Sequence, residues 1–110
     1  MTTLDEQFIV AVKVVQNLPK NGPFKPSIEL RLRFYSYYKQ ATEGPCRLTQ
    51  PPFWDLIGKT KWKVWSDLGE MSQKEAKELY VAELKKALDS VPPPEEHYHF
   101  FQPFFEVCRC

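Results

Sequence analysis

The sequence predicts an all-α protein built as a single four-helix bundle, on three observations. Apolar residues recur at helical spacing in four separate stretches, glycine or proline closes each of them, and none shows the strict alternation of a half-buried strand. At 110 residues, 43% hydrophobic and 26% charged, the chain is long enough for one domain with a real core and too short for two.

The first helix is expected to start at Thr3-Leu4-Asp5-Glu6, a capping box whose hydroxyl and carboxylate satisfy amides left free at a helix start. Leu4, Phe8, Ala11, Val12, Val15 and Leu18 then share one stripe, and Pro19 with Asn21-Gly22-Pro23 ends it. Lys25-Pro26-Ser27 offers a capping serine for a second helix, Ile28 to about Thr42, which Gly44-Pro45 stops. Turn chemistry runs on to Pro51-Pro52. The third helix is expected from near Asp55 to Leu68, with Ile57, Val64, Trp65 and Leu68 as its buried stripe and Gly58 as a weak point costing about 1 kcal/mol relative to alanine. Ser72-Gln73-Lys74-Glu75 is a second capping box. The helix it opens carries Ala76, Tyr80, Leu84, Ala87, Leu88 and Val91 on one face until Pro92-Pro93-Pro94 breaks it. This organisation gives a bundle over residues 1–91 and a proline- and aromatic-rich tail over 92–110 that offers a surface for a protein partner.

Net charge is +1, so the chain as a whole attracts no polyanion, but its halves differ. Lys25 to Lys63 holds eight Lys/Arg against three Asp/Glu, and Ser66 to Cys110 holds nine acids against five bases. The start lacks the basic flank and long apolar run of a secretory signal, and no apolar run reaches membrane-spanning length. Cys46, Cys108 and Cys110 are an odd, badly spaced set for a disulfide framework, which points to a reducing, cytoplasmic compartment. The terminal C-x-C has too few further ligands for zinc, and it does not fit a prenylation box.

The second helix holds the functional signal. On a helical wheel, Leu30, Phe34, Tyr37 and Ala41 form a core stripe, while Arg33, Ser36 and Gln40 fall on a side expected to be solvated. Between these, Tyr38, Arg31, Tyr35, Lys39 and Leu32 occupy an arc of roughly 80° to 200° at the helical period. Phenolic hydroxyls, aromatic planes and two cations around one leucine suit a ligand with an anionic head, a stackable ring and an apolar tail. Lys61 falls within the third helix's buried stripe. Alone it would snorkel to water, but beside Tyr35 and Lys39 it completes a phosphate site. Tyr80, alone on an apolar stripe, reads as core, with a hydroxyl that requires a partner.

These residues resemble a known family. "FYSYYKQATEGPC", then "FWDLIGKTKWKVWSDLG" and "MSQKEAKELYVAEL", are similar to the acyl-CoA-binding proteins across about Phe8 to Leu88. The pattern Y-x-x-Y-K-Q-A-T-x-G with a later K-W-x-x-W and S-x-x-x-A-x-x-x-Y is long and specific. The linking segments look most like the branch found at the front of larger, membrane-anchored members, which implies a full-length protein anchored to an organelle such as the peroxisome. The resemblance implies an up-down-down-up bundle that binds medium- to long-chain fatty acyl-CoA without covalent chemistry, as a monomeric carrier. It implies that Tyr35, Lys39 and Lys61 hold the 3′-phosphate of coenzyme A and that Tyr38 and Tyr80 line the nucleotide region. Leu32 and Phe8 would lie along the acyl chain, with Val12 nearby. Trp62 and Trp65 match the third-helix tryptophans. The sequence departs at Gln16, where other members carry a lysine near the ligand, and at Arg31, where some have methionine beside the chain.

Other functions have less to stand on. His97 and His99 sit in the tail, the cysteines have no nearby base, and no phosphate loop or metal-ligand set appears, so neither catalysis, a cofactor nor a bound metal is expected. Single-stranded nucleic acid could stack on the tyrosines, but the small basic face and near-zero net charge speak against it. An interaction module using the aromatic tail is the remaining alternative, and it is compatible with ligand binding.

Overall fold

A computed structural model describes residues 3–18 and 26–90 as four helices: α1 (Leu4–Gln16), α2 (Ile28–Glu43), α3 (Leu56–Ser66) and α4 (Gln73–Ser90). The stop expected at Pro19 to Pro23, Val91 and the tail over 92–110 lie outside the described residues.

Local hydrogen bonds set the helix starts. The Thr3, Ser27 and Ser72 hydroxyls accept from the amides of Glu6 (3.2 Å), Leu30 (3.1 Å) and Glu75 (3.0 Å). α2 stops at Gly44, whose φ of 82° and ψ of −162° lie in a region essentially confined to glycine, while its amide still donates to the Gln40 carbonyl. Asp55 caps α3 by accepting from the Gly58 amide at 3.0 Å. A Cβ at Gly58 would collide with that carboxylate. Alanine there would therefore gain about 1 kcal/mol of helix propensity and lose a cap worth about as much, so Gly58 is not the weak point expected. α3 ends at Ser66, short of the expected Leu68, because the amides of Leu68 and Gly69 turn to the carbonyls of Trp65 and Ser66 three residues back.

α4 packs against both α1 and α2, and α3 packs chiefly against α2. The core joins Phe8, Ala11 and Val14 of α1, Phe34 and Ala41 of α2, and Ala76, Tyr80, Val81, Leu84 and Leu88 of α4. The centre of α1's buried face is displaced from the expected stripe: Val14 is buried, and Val12 and Val15 pack at the core's edge. The contact line follows α4 and not α1's own apolar average.

Two expectations are overturned. Ser36 and Gln40, assigned to a solvated side of α2, are buried, Gln40 fully at 0% exposure. Ser36 returns its hydroxyl proton to the Arg33 carbonyl at 2.9 Å. Gln40 donates from Nε2 to the carbonyls of Gly69 (3.0 Å) and Met71 (2.8 Å), which ties α2 to the α3–α4 connection. The second concerns α3, where Trp65 is buried and Val64 and Leu68 are half-buried, but Ile57 is 73% exposed and Lys61 is exposed as well. Only the carboxy-terminal half of the expected stripe meets the bundle.

Candidate functional site

The exposed half of α3 forms one wall of a groove. Leu56, Ile57, Thr60 and Lys61 face Ile28 and Leu32 of α2 across a cavity of about 270 Å³ whose lining is mostly apolar. The lysine ammonium lies 5.4 Å from the centre of the Tyr35 ring, a cation–π contact between the two helices. Along α2 from Tyr35, the Lys39 ammonium lies 5.6 Å from the centre of the Trp65 ring and 2.6 Å from Glu43 Oε2.

The two tryptophans of α3 set this spacing. Trp65 donates its indole proton to the Gly44 carbonyl at 3.0 Å, and Trp62 donates to the Leu48 carbonyl at 2.8 Å. Both tie α3 to the chain leaving α2. The unusual backbone of Gly44 therefore has a second consequence, since it helps aim the carbonyl that Trp65 reads.

Beneath the open face runs a chain of rings. Phe34 meets Tyr80 at 5.0 Å, Tyr80 meets Phe8 edge-on at 5.2 Å, and Phe8 stacks on Tyr38 at 6.4 Å and 23°. Tyr38 is half-buried and is the outermost of these rings. Lys77, which the sequence did not single out, holds its ammonium 5.9 Å from the Phe8 ring and 2.8 Å from Asp5 Oδ1.

The structure thus brings Leu32, Tyr35 and Lys39 of α2 against Lys61 and Trp65 of α3, whereas Tyr38 stacks on Phe8 of α1. Phe8 and Tyr80 are core residues, the latter only 2% exposed, and Val12 is half-buried at the core's edge. Arg31 is exposed. Sequence reasoning missed Ile28, Leu56, Ile57 and Thr60 as groove lining. Ile28 stands four residues before Leu32, so extending the wheel of α2 by one turn would have placed it within the same arc.

Electrostatics divide the polar groups into two kinds. The hydrogen bond that the Lys39 ammonium donates to Glu43 raises the Lys39 pKa, burial opposes the rise, and the Glu43 charge together with Tyr35 and Tyr38 adds to it. Lys39 is therefore a firm cation at neutral pH, losing its proton only above the ordinary lysine range. Burial, with Tyr38 as a lesser cause, pushes the Tyr80 hydroxyl far above the usual tyrosine range and keeps it a neutral phenol. Among the described residues no group of three or more His, Cys, Asp and Glu could hold a metal, and no helix is long and apolar enough to cross a membrane.

Comparison with known proteins identifies the family. Residues 5–84 match the family described as Acyl CoA binding protein. The chain is 53% identical over 106 residues to Acyl-CoA-binding domain-containing protein 5 of Rattus norvegicus, covering 94% of this chain and 21% of the relative. It is 50% identical over 109 residues to Acyl-CoA-binding domain-containing protein 4 of Homo sapiens, covering 93% of this chain and 41% of the relative. It therefore spans well under half the length of these relatives. The crystal structure of ACBP from Moniliophthora perniciosa superposes with a TM-score of 0.84 at 35% identity, over 94% of this chain and 97% of that one, giving the up-down-down-up bundle. The chain belongs to the acyl-CoA-binding protein family, whose members are ligand-binding and not catalytic, and membership implies that it binds acyl-CoA esters.

Proposed function

We propose that residues 1–91 form a monomeric carrier domain that binds medium- to long-chain fatty acyl-CoA and maintains a pool of it in the cytoplasm. The longer protein to which such a segment would belong is proposed to be anchored to an organelle. The observation that carries the reading is the junction of an apolar α2–α3 groove with a cluster of cations and phenols at Lys61, Tyr35 and Lys39.

A volume near 270 Å³ lies at the small end of ligand cavities, which suits an alkyl chain better than a whole nucleotide. The nucleotide then belongs on the open face. Lys39 and Lys61 meet the 3′-phosphate as point charges with the Tyr35 hydroxyl as a donor, and Tyr38, backed by Phe8, offers its ring to the adenine. Tyr80 and Phe8 act from beneath by holding Tyr38, and Val12 packs behind them. Leu32, with Ile28, Leu56 and Ile57, covers the chain, and exposed Arg31 adds charge at the rim. Each buried methylene contributes about 0.8 kcal/mol, so a long chain supplies on the order of 10 kcal/mol before ordering costs.

Calorimetric titration with palmitoyl-CoA, free coenzyme A and a short oligonucleotide tests this. Palmitoyl-CoA should bind by far the tightest, and added salt should weaken the head-group contribution while sparing the chain's. Equal affinity for coenzyme A and its palmitoyl ester would reject the groove as a chain site, and tighter binding of the oligonucleotide would favour a nucleic-acid module.

Glu43 competes with the ligand for Lys39, because its carboxylate already occupies the ammonium at 2.6 Å. An exposed i,i+4 pair of this kind is worth under about 1 kcal/mol. Glu43→Gln should therefore tighten palmitoyl-CoA binding by about two- to fivefold, measured by the same titration. Unchanged or weaker binding would show that the pair does not oppose the ligand.

A further inference from the structure

We infer that the connection between α2 and α3 is a docking edge for anionic lipid bilayers. Among the described residues, five of the seven exposed large hydrophobics, Leu48, Phe53, Trp54, Leu56 and Ile57, fall in this connection and the first turn of α3. Leu56 and Ile57 line the groove and would be covered by a bound chain. Leu48, Phe53 and Trp54 are not groove residues, and the last two are 77% and 73% exposed. Their rings touch edge-on at 5.3 Å, making one apolar projection.

The projection is presented, not loose. The Asp55 amide donates to the Pro52 carbonyl at 3.0 Å, the Asp55 carboxylate caps α3, and Trp62 holds the Leu48 carbonyl. Prolines 51 and 52 further limit the backbone. Fixed in this way, the aromatic pair loses little conformational freedom when it meets a partner.

Charge identifies the partner as a bilayer with anionic headgroups. Between residues 47 and 63 stand Arg47, Lys59, Lys61 and Lys63 against Asp55 alone, and the Asp55 carboxylate is turned to the Gly58 amide of α3. Arg47 and Lys63 also pair with Glu70 and Asp67, but these are exposed pairs of little strength that a headgroup phosphate can displace. Tryptophan and phenylalanine beside lysines are the composition that settles at a bilayer interface. The edge adjoins the groove, so docking would bring the groove to the membrane in which an acyl chain otherwise resides. That loading role rests on the acyl-CoA reading, whereas the docking itself does not.

The test is flotation of the protein with ligand-free vesicles of phosphatidylcholine and phosphatidylserine, and with vesicles of phosphatidylcholine alone. Wild type should float with the mixed vesicles and more weakly with the neutral ones. Phe53→Ser with Trp54→Ser should reduce the bound fraction by about tenfold, because interfacial binding scales with inserted apolar area, and Lys59→Glu by a few-fold. The double variant should bind palmitoyl-CoA normally in vesicle-free buffer, which also verifies its fold. Absence of wild-type flotation would overturn the inference and turn attention to a protein partner. Equal flotation of the double variant would overturn it too, and equal binding to neutral vesicles would remove the anionic part. Because the vesicles carry no acyl-CoA, any of these failures leaves the groove reading standing.

Discussion

Replacing Lys39 and Lys61 together with alanine should weaken palmitoyl-CoA binding by about a hundredfold or more while costing less than about 1 kcal/mol of stability. A hydrogen bond to a charged phosphate is worth about 1.5–3 kcal/mol, and the double variant removes two such donors. The fold relies on neither side chain to that degree. Lys61 is exposed, and its contact with the Tyr35 ring is a surface cation–π pair. Lys39 gives up a contact with the Trp65 ring and an exposed pair with Glu43. Titration calorimetry beside a thermal melt separates the two quantities. Affinity should fall equally for esters of different chain length, since the groove lining contributed by Leu32, Leu56 and Ile57 is untouched. A melting temperature that fell as steeply as the affinity would identify the lysines as structural and reject the phosphate site.

The opposite balance is expected at Gln40. Gln40→Ala should destabilise the protein by about 2 kcal/mol, read from denaturant unfolding, because the Gly69 and Met71 carbonyls lose a protein donor and each such hydrogen bond is worth about 1 kcal/mol net. The missing side-chain volume adds a cavity cost, and water entering the gap returns part of the loss. The Gln40 Oε1 atom is itself buried without a partner, so the wild-type network is incomplete and Gln40→Met is expected to fall between alanine and wild type. A change below about 0.5 kcal/mol for alanine would mean that solvent already reaches those carbonyls.

These two residues stand one position apart on α2, and the sequence was informative about only one of them. Lys39 lies on the arc with Tyr35 and Tyr38, and its charge is supported first by the hydrogen bond it donates to Glu43. Gln40 looked solvated because glutamine on a helix usually is. Nothing within a few residues of it indicates otherwise, since its partners lie 29 and 31 positions along the chain. Ile57 shows the converse, an apolar residue at core spacing that no neighbouring helix covers. The helical spacing of Ile57 was legible, and its use as a groove wall was not.

The sequence by itself determined the four helices, their serine and threonine caps, the glycine stop after α2, and the arc of tyrosines and cations on that helix. Those features arise from hydrogen bonds and periodicities that act within a turn or two of the chain. The tertiary structure alone decided that α3 packs chiefly on α2, that Ser36 and Gln40 are inside, and that Ile28, Leu56 and Ile57 face one another across a groove. The reason is that burial belongs to two surfaces in contact, and a residue's own helix specifies only one of them.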